Sequence, residues 1–553
     1  MRSFRHALTT QIAALGLLVF VATGAATGPS FAQAPPQRDL RNGWEVHREL
    51  VVSPQAHAEA PKYFPSFFEY HDMVMFHPTV GYYASGRVDF VDHYRTYPVV
   101  LAPLFGHMVA EQIFAMWNGM RRAGTLSERD RFTIAEFGPG DGALAEAILD
   151  YLVRRAAEDA AWRTFADQVL YVCYDRSPSL NKVQQERNAR FGKRFEARVA
   201  DATNMTATIA KGSLKGVVLS NELPDAFSVH KTILSADGTA EVAFVVPALP
   251  AETWRTVQPL LSATAAQAIE ADDKAIEDRF LGGQREGAVY LSKASFVALL
   301  EHLRSAPTYE ATANAMQFRE LYAPATTVPI VAEHLGRYAE MYAGVLARDA
   351  RGLVTYVNPG AERFIRDAAQ VLSAGYMLTI DYGGNFEEML NQHSYPRFRT
   401  YGPASRNRAN LAPNQVDTFA PYVGPTLNDF TTDANFTLLA AEGELVGLKA
   451  IYYGAQRALQ AGTSVSLDTV PSARENEGNA AEFQSWATSF AGPSVYKMLL
   501  QQKTGTDPAY RFAGQHPESL GLGTTTLDPA QRSRADQIAA RLKAQAAVLK
   551  VSK

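Results

Sequence analysis

The sequence is poor in cysteine, and this excludes several kinds of site. Cys173 is the only cysteine in 553 residues, so neither an internal disulfide nor a cysteine metal site can form. Neither sign of charge is in marked excess, because the formal net charge is −4. Since phosphate binding requires a basic surface, this balance argues against a nucleic-acid partner. The histidines, whose scattered spacing favours no metal site, include His71, His77, His93, His107 and His230.

Acidic residues are missing from the amino terminus, where the first one is Asp39. Arg2 and Arg5 precede an apolar stretch, and residues 31–34 (FAQA) offer alanines at the usual cleavage spacing. This order predicts a signal peptide over residues 1–34 and export to the periplasm. An uncleaved anchor and, in a eukaryote, a mitochondrial presequence are the alternatives. Beyond this stretch no segment has the length and apolarity of a membrane span.

The remaining chain is too long for one ordinary core, so we expect several domains or a large insertion. Strand patterns alternate with helical ones, which is typical of an α/β fold with a mostly parallel sheet covered on both faces. The predicted strands are 133–137, 169–174, 216–220, 242–246 and 377–380. The predicted segments are a signal peptide (1–34), a linker (35–60), the first part of the main domain (61–250), a helical insertion (251–350), the remainder of the main domain (351–505) and a tail with a surface helix (506–553).

A glycine-rich turn between a strand and a helix is the most informative stretch, with the sequence TIAEFGPGDGALAEAIL at 133–149. Gly138, Gly140 and Gly142 allow backbone N–H groups to approach a ligand that a Cβ would displace. A tight loop without a ligand and the turn of an NAD enzyme are the alternatives. A P-loop is excluded because no Lys-Ser or Lys-Thr follows the glycines.

Two acidic residues follow strand patterns near this turn. Asp175 follows the run LYVCY, where a carboxylate accepts hydrogen bonds from ribose hydroxyls. Asp201 follows Val199 and Ala200 and is a candidate for a place near an adenine amino group. Each also has an ordinary interpretation, because aspartate is a favoured cap of helices and turns.

Two other strands lead into SNELPDAF (220–227) and TIDYGG (379–384). Glu222, Asp225 and Asp381 therefore follow the carboxyl ends of their strands. A polar loop and an Asp-Gly turn are the ordinary explanations. Because several strand ends carry carboxylates on what should be one rim, we expect Glu222 and Asp225 to face a cationic substrate beside a methyl donor.

The motifs EFGPGDG, YDRSP, SNELPDAF and TIDYGG, in this order, are similar to those of the MidA-like family of S-adenosylmethionine-dependent methyltransferases. The flanking sequences VNPGAERFIRDAAQVLSAG and LNDFTTDANF agree with it. The resemblance implies a Rossmann-like class I methyltransferase sheet and S-adenosyl-L-methionine as cofactor. It also implies methylation of a protein arginine, since a mitochondrial member of the family modifies a respiratory complex I subunit and assists the assembly of that complex.

The resemblance also implies roles for individual residues. The predicted cofactor-binding residues, with Asp201 added from its strand end, are Glu136, Gly138, Gly140, Gly142, Asp175 and Asp201. The predicted catalytic residues beside the reacting centre are Asn221, Glu222, Asp225 and Asp381.

Two segments depart from the pattern of the family. Its Gly-Asp-Phe and later Ser-Pro are replaced by Val88-Asp89-Phe90 and Ala102-Pro103, and its Gly-Thr…His stretch is represented only by Tyr401-Gly402. Both segments are expected to shape the acceptor pocket. A catalytically impaired, exported binding or assembly factor and a small-molecule methyltransferase are therefore the alternative functions.

Overall fold

The computed structural model describes residues 49–83, 101–283, 285–348, 352–391, 398–401, 422–466, 496–514, 517–521 and 526–551. The predicted signal peptide, residues 35–48 of the predicted linker, the departure at residues 88–90 and Gly402 lie outside these residues. Among the described helices, none combines the length and the apolar character that crossing a membrane requires.

Strands and helices are numbered in chain order. The strands are β1 (Phe132–Phe137), β2 (Val169–Asp175), β3 (Phe195–Val199), β4 (Leu214–Asn221), β5 (His230–Leu234), β6 (Ala240–Pro250), β7 (Ala288–Tyr290), β8 (Gln317–Pro324), β9 (Leu353–Val357), β10 (Leu372–Gly384), β11 (Phe398–Tyr401), β12 (Asp429–Thr432), β13 (Ala434–Asn435), β14 (Leu448–Ala455) and β15 (Tyr496–Lys503). The helices are α1 (Pro54–Tyr63), α2 (Phe67–Phe76), α3 (Leu104–Arg122), α4 (Ala143–Glu158), α5 (Ala160–Gln168), α6 (Pro178–Asn188), α7 (Ala251–Val257), α8 (Ala263–Ile276), α9 (Lys293–Leu303), α10 (Tyr309–Ala315), α11 (Pro329–Arg337), α12 (Ala339–Leu346), α13 (Pro359–Val371), α14 (Phe386–Asn391), α15 (Phe436–Leu445) and α16 (Pro529–Val551).

An eight-stranded main sheet has the order β3-β2-β1-β4-β10-β15-β14, with β13 beside β10. The pairs from β3 to β10 are parallel, and β15 runs antiparallel to both β10 and β14. The chain therefore reverses its direction of travel across the sheet between β1 and β4, which is where α/β sheets bind ligands. The predicted Rossmann-like class I methyltransferase sheet is confirmed.

The main sheet is buried on both faces, and successive side chains of β1 show how. Ile134 packs into a cluster with α3, α4 and α5 on one face. Ala135 and Phe137 pack into a cluster with α13 and α15 on the other. Burial on two faces explains why these strands read as nearly continuous apolar runs.

Residues 251–350, expected to be a helical insertion, also contain the strands β7 and β8. Together with β5, β6 and β9 they form a second sheet of five strands, all paired antiparallel. The insertion into the main sheet thus begins before residue 251 and ends after residue 350, and the extended segment 242–246 belongs to this second sheet.

A buried ion pair explains why β8 was not predicted as a strand from the sequence. Glu320 in the middle of β8 is fully buried, and both of its carboxylate oxygens accept hydrogen bonds from Lys231 Nζ at 2.8 Å. The hydroxyl groups of Tyr322 and Tyr422 also donate to this carboxylate. A charged residue at a core position breaks the apolar pattern on which strand prediction depends, and its partner Lys231 lies far away in sequence.

The described part of the predicted linker is also ordered structure. Ser53 caps α1 by accepting a hydrogen bond from Ala56 N at 3.3 Å, and Ala60 is fully buried. Leu50 N donates to Glu320 O at 2.8 Å, which joins the segment to β8. Residues 49–60 therefore belong to the second sheet and the helices packed on it, which we call the second domain, and the interpretation as a loose linker is wrong for them.

The carboxyl-terminal helix α16 packs on α11 and α12 through one face. Ile538 and Leu542 belong to the core cluster on one side of the second sheet, and Leu542 is only 1% exposed. The segment expected to be a tail with a surface helix therefore contributes to the core of the second domain.

Replacing Leu542 with alanine should lower the free energy of unfolding by about 3 kcal/mol, because it leaves a cavity between α16 and the second sheet. The matched control is Val548→Ala, since Val548 lies on the same helix and is 59% exposed. Denaturant unfolding followed by circular dichroism measures both variants. Equal, small effects of the two substitutions would contradict the docking of α16.

Candidate functional site

A cleft of about 850 Å³ opens at the carboxyl ends of β1, β2 and β4. Its volume lies within the range of cofactor sites. The predicted site residues that line it are Glu136, Gly138, Gly140, Asp175, Asp201, Asn221, Glu222 and Asp225. Gly142 and Asp381 do not line it, although both contact residues that do. Strand topology thus brings together residues from four separate stretches of the sequence.

The glycine turn between β1 and α4 has a conformation that requires glycine. Gly138 and Gly142 have φ angles of +69° and +84°, which other residues rarely adopt. A Cβ on Gly138 would lie 2.8 Å from Leu223 Cδ1, and one on Gly142 would lie 2.9 Å from Asn188 Nδ2. Gly142 therefore shapes the turn from behind, whereas Gly138 and Gly140 present backbone to the cleft.

Two amide side chains of α6 hold this turn, and neither was predicted from the sequence. Gln184 Nε2 donates to Gly140 O at 2.7 Å and to Asp175 Oδ2 at 3.2 Å. Asn188 Nδ2 donates to Gly142 O at 3.2 Å. Both residues are fully buried. Their only signal in the sequence is two amides spaced one helical turn apart.

Asp175 lies at the end of β2 and faces the cleft. Its carboxylate accepts hydrogen bonds from Ser177 N at 2.7 Å and from Gln184. Burial raises the pKa of Asp175 to about 6. The alternative interpretation as a helix cap is wrong, because Ser177 caps α6 by accepting from Leu180 N. Its predicted contact with a ribose stays a prediction.

Asp201 fits both of its interpretations. Its Oδ1 accepts hydrogen bonds from Thr203 N and Thr203 Oγ1, each at 2.8 Å, and so caps the short turn at Ala202–Ala207. It also lines the cleft. Arg176 Nε lies 3.9 Å from its carboxylate, and the guanidinium of Arg176 lies over the ring of Phe76 at 4.9 Å. Charge and an aromatic ring therefore meet at this end of the cleft.

Glu136, the last residue but one of β1, has a buried carboxyl group that faces the cleft. Its Oε2 accepts a hydrogen bond from the Tyr171 hydroxyl at 2.7 Å. Burial raises the pKa of Glu136 to about 7, although hydrogen bonds from Tyr171 and Cys173 oppose the shift. This carboxyl group therefore changes its charge near neutral pH.

The loop after β4 holds Glu222 in a strained conformation. Glu222 has a φ angle of +52°, and such strain in a non-glycine residue is found mainly at functional sites. Its backbone N–H donates to Ile380 O at 2.8 Å, and Asn221 Nδ2 donates to its carboxylate at 3.3 Å. Asn221 Oδ1 is buried and accepts no hydrogen bond from the described residues. This oxygen at the cleft wall can thus accept a hydrogen bond from a ligand.

Asp381 lies beneath this loop. Its carboxylate accepts hydrogen bonds from Asp225 N at 3.1 Å and from Tyr382 N at 2.6 Å. Burial and the neighbouring carboxylates of Asp225 and Glu222 raise the pKa of Asp381 well above its ordinary value. The structure therefore places Asp381 as a support of the loop, while Tyr382 reaches the cleft.

Asp429 of β12 also lines the cleft, and it was not singled out from the sequence. It is 2% exposed, and its Oδ1 accepts a hydrogen bond from the Tyr83 hydroxyl at 3.1 Å. Burial raises the pKa of Asp429 to about 7. The ring of Tyr83 stacks on Phe76 at 5.5 Å, and Tyr382 packs against Tyr496 at 4.5 Å. The acids of the cleft are thus bordered by aromatic rings.

No group of three or more histidine, cysteine or acidic side chains among the described residues has the geometry to hold a metal ion. The elements that the cleft offers are a glycine-lined backbone turn, carboxylates and aromatic rings.

Comparisons with known proteins identify the family and the fold. The model of a family described as S-adenosyl-L-methionine-dependent methyltransferases matches residues 108–454, more than half of the chain. None of the curated proteins matches the sequence.

Two solved structures of proteins from Burkholderia thailandensis have the same fold. An uncharacterized protein is 19% identical, with 85% of this chain and 98% of that chain covered and a TM-score of 0.50. A member of the same superfamily, bound to S-adenosyl-homocysteine, is also 19% identical, with 86% of this chain and 100% of that chain covered and a TM-score of 0.52.

The Glu136→Gln variant should change how stability depends on pH. Because the folded state raises the pKa of Glu136 to about 7, it binds more protons than the unfolded state between pH 4.5 and 7. The wild-type chain should therefore lose up to about 3 kcal/mol relative to the variant as pH rises from 5 to 8. Denaturant unfolding at both pH values measures this difference, and parallel curves for the two proteins would contradict the buried position of the carboxyl group.

Proposed function

This chain belongs to the MidA-like family of S-adenosyl-L-methionine-dependent methyltransferases, and from that membership we propose that it methylates a cationic nitrogen, the guanidinium of a protein arginine. The observation that carries the proposal is the concentration of carboxyl groups in one aromatic-lined cleft. Glu222, Asp225 and Asp429 line it, and Asp381 lies directly behind. A cation is the ligand whose binding would best offset the cost of burying several acids together.

The cleft has room for the methyl donor beside the glycine turn. Gly138 and Gly140 expose their backbone to the cleft, and a side chain at either position would occupy part of that space. The turn therefore leaves room for the methionine part of the donor. Asp175 would accept hydrogen bonds from the ribose hydroxyls, and Asp201, two residues after β3, lines the same cleft. When bound, S-adenosyl-L-methionine supplies a methyl group attached to a positively charged sulfur.

The residues of the chain would then act mainly by alignment. Glu222 and Asp225 can accept paired hydrogen bonds from a guanidinium and hold one nitrogen towards the donor side of the cleft. Their charges would also draw the positive charge of the guanidinium away from that nitrogen, and one of the two carboxylates would accept the proton that the nitrogen loses when it gains the methyl group. Aromatic rings of Tyr83, Tyr382 and Tyr496 border the same space and would limit access of water.

The proposal has two finer parts, one supported by the family resemblance and one by the sequence of the amino terminus. We propose that the acceptor arginine belongs to a subunit of a respiratory complex and that its methylation assists assembly. We also propose that residues 1–34 direct export to the periplasm, on the basis of the basic and apolar pattern of that segment. Mass spectrometry of the purified protein tests the export proposal, because cleavage would leave an amino terminus at Pro35.

Glu222→Gln should lower methyl transfer by about 100-fold or more, because the amide retains the shape but not the charge that orients a cation. The assay incubates the protein with methyl-tritiated S-adenosyl-L-methionine and a protein extract, followed by hydrolysis and separation of methylated amino acids. Titration with S-adenosyl-homocysteine should give nearly the same affinity for variant and wild type. Equal losses of transfer and donor affinity would contradict this role of Glu222, and label found only outside arginine would reject the proposed acceptor.

Asp429→Asn should remove a pH dependence of the reaction. A carboxyl group with a pKa of about 7 is mostly neutral at pH 6 and mostly ionised at pH 8, so it attracts a cationic acceptor more strongly as pH rises. We expect kcat/KM for the acceptor to rise with pH through about 7 in the wild type and to rise less in the variant. An unchanged profile would show that Asp429 does not face the acceptor.

A further inference from the structure

Hydrogen bonds from several elements hold the loop Asn221–Phe227, which carries Asn221, Glu222 and Asp225. Glu222 N donates to Ile380 O, and Asp225 N donates to the carboxylate of Asp381. Both of these bonds come from β10 of the main sheet. Because the φ angle of Glu222 is +52°, the loop keeps its conformation only where surrounding contacts outweigh the strain.

Two further hydrogen bonds reach the loop from other directions. Thr432 Oγ1 of β12 donates to Asp225 O at 3.4 Å. Asn358 Nδ2 donates to Pro224 O at 3.0 Å. Asn358 follows directly after β9, the strand by which the chain leaves the second sheet, and it precedes α13 of the main domain. The same side chain caps α13, because Asn358 Oδ1 accepts from Ala361 N at 2.9 Å. Both ends of one amide are therefore used, one for the helix and one for the loop.

Packing at the start of α13 reinforces this contact. A Cβ on Gly360 would lie 3.2 Å from Cβ and Cγ of Phe227, the last residue of the loop. The amino-terminal end of α13 thus touches the loop at Pro224 through a hydrogen bond and at Phe227 through close packing. Pro224 and Phe227 flank Asp225 on both sides, so a shift of α13 is transmitted to that carboxylate.

We propose that Asn358 is a positioning residue, which fixes the Asn221–Phe227 loop and ties its geometry to the place where the second domain joins the main sheet. This inference rests on the proposed function only in assigning that loop to the acceptor. Asn358 itself does not line the cleft and is not a catalytic residue.

Asn358→Asp separates the two roles of the side chain. Aspartate caps helices as well as asparagine does, and its negative charge interacts favourably with the positive amino-terminal end of the helix dipole. Helix α13 should therefore stay intact. It cannot donate to Pro224 O, and its negative charge would face that carbonyl oxygen. The matched control is Asn435→Asp, because Asn435 caps α15 in the same way by accepting from Leu438 N at 3.2 Å, and no hydrogen bond from its side chain to the loop is present in the described structure.

Hydrogen exchange measured by mass spectrometry reports directly on the protection of the loop amides, and it does not require the methyl-accepting substrate. In Asn358→Asp the amides of Glu222 to Phe227 should exchange about tenfold faster, as expected for loss of one hydrogen bond and added repulsion. Exchange of α13 should change less than twofold, and Asn435→Asp should leave the loop unchanged. Serine at position 358 can also cap α13, but its side chain is too short to reach Pro224. Asn358→Ser should therefore show the same exchange pattern as Asn358→Asp, and it replaces that variant if Asn358→Asp fails to fold.

Unchanged loop exchange in both variants at position 358 would overturn the proposal, and so would equal acceleration in Asn435→Asp. Faster exchange spread equally over α13 and the loop would show a structural role only, which also overturns it. If the loop alone loosens while the wild type labels no arginine, the positioning role stands and the proposed acceptor fails. The expected kinetic counterpart is a tenfold lower kcat with little change in the affinity for S-adenosyl-homocysteine.

Discussion

The hydrogen bond from Glu222 N to Ile380 O, at 2.8 Å, is the interaction on which the site depends. It continues the pairing of β4 with β10 one residue beyond the end of β4, so the first residues of the loop are still held by the sheet. The carboxylate of Asp381 then accepts a hydrogen bond from a second amide of the loop, that of Asp225. Two neighbouring parallel strands thereby fix the loop in a buried position, although its carboxylates and that of Asp381 repel one another there.

The second domain gives this arrangement a rigid surrounding. Arg337 of α11 donates to the carboxylates of Glu362 and Glu442, at 2.7 Å each, and these acids belong to α13 and α15 of the main domain. His334 hydrogen bonds to the same Glu362. Since breaking such a buried charged network leaves unpaired charges, the two sheets should resist relative movement. The insertion is therefore a structural part of the methyltransferase, and its core also includes Tyr422, which follows the insertion in the chain.

Much of the main sheet and of the donor side could be predicted because their signals are local. The glycine turn, Asp175 and Glu222 each directly follow an apolar strand, and the order of parallel strands then brings them to one edge. The residues that were missed depend on distant partners. Asp429 is recognisable only beside Tyr83, which lies 346 residues earlier in the chain. The position of Glu320 in a buried strand is explained only by its ion pair with Lys231. The role of Asn358 is likewise recognisable only from its hydrogen bond to Pro224.

The central claim is that the turn at Gly138–Gly142 and the acids around it bind an S-adenosyl nucleoside. Isothermal titration of the purified chain with S-adenosyl-homocysteine tests it most directly. The expected result is binding of one ligand per chain with a dissociation constant on the order of micromolar, which is abolished by Gly140→Val in a protein that remains folded. A folded wild-type chain that binds no S-adenosyl-homocysteine, or a Gly140→Val variant that binds it as well as the wild type, would contradict the claim.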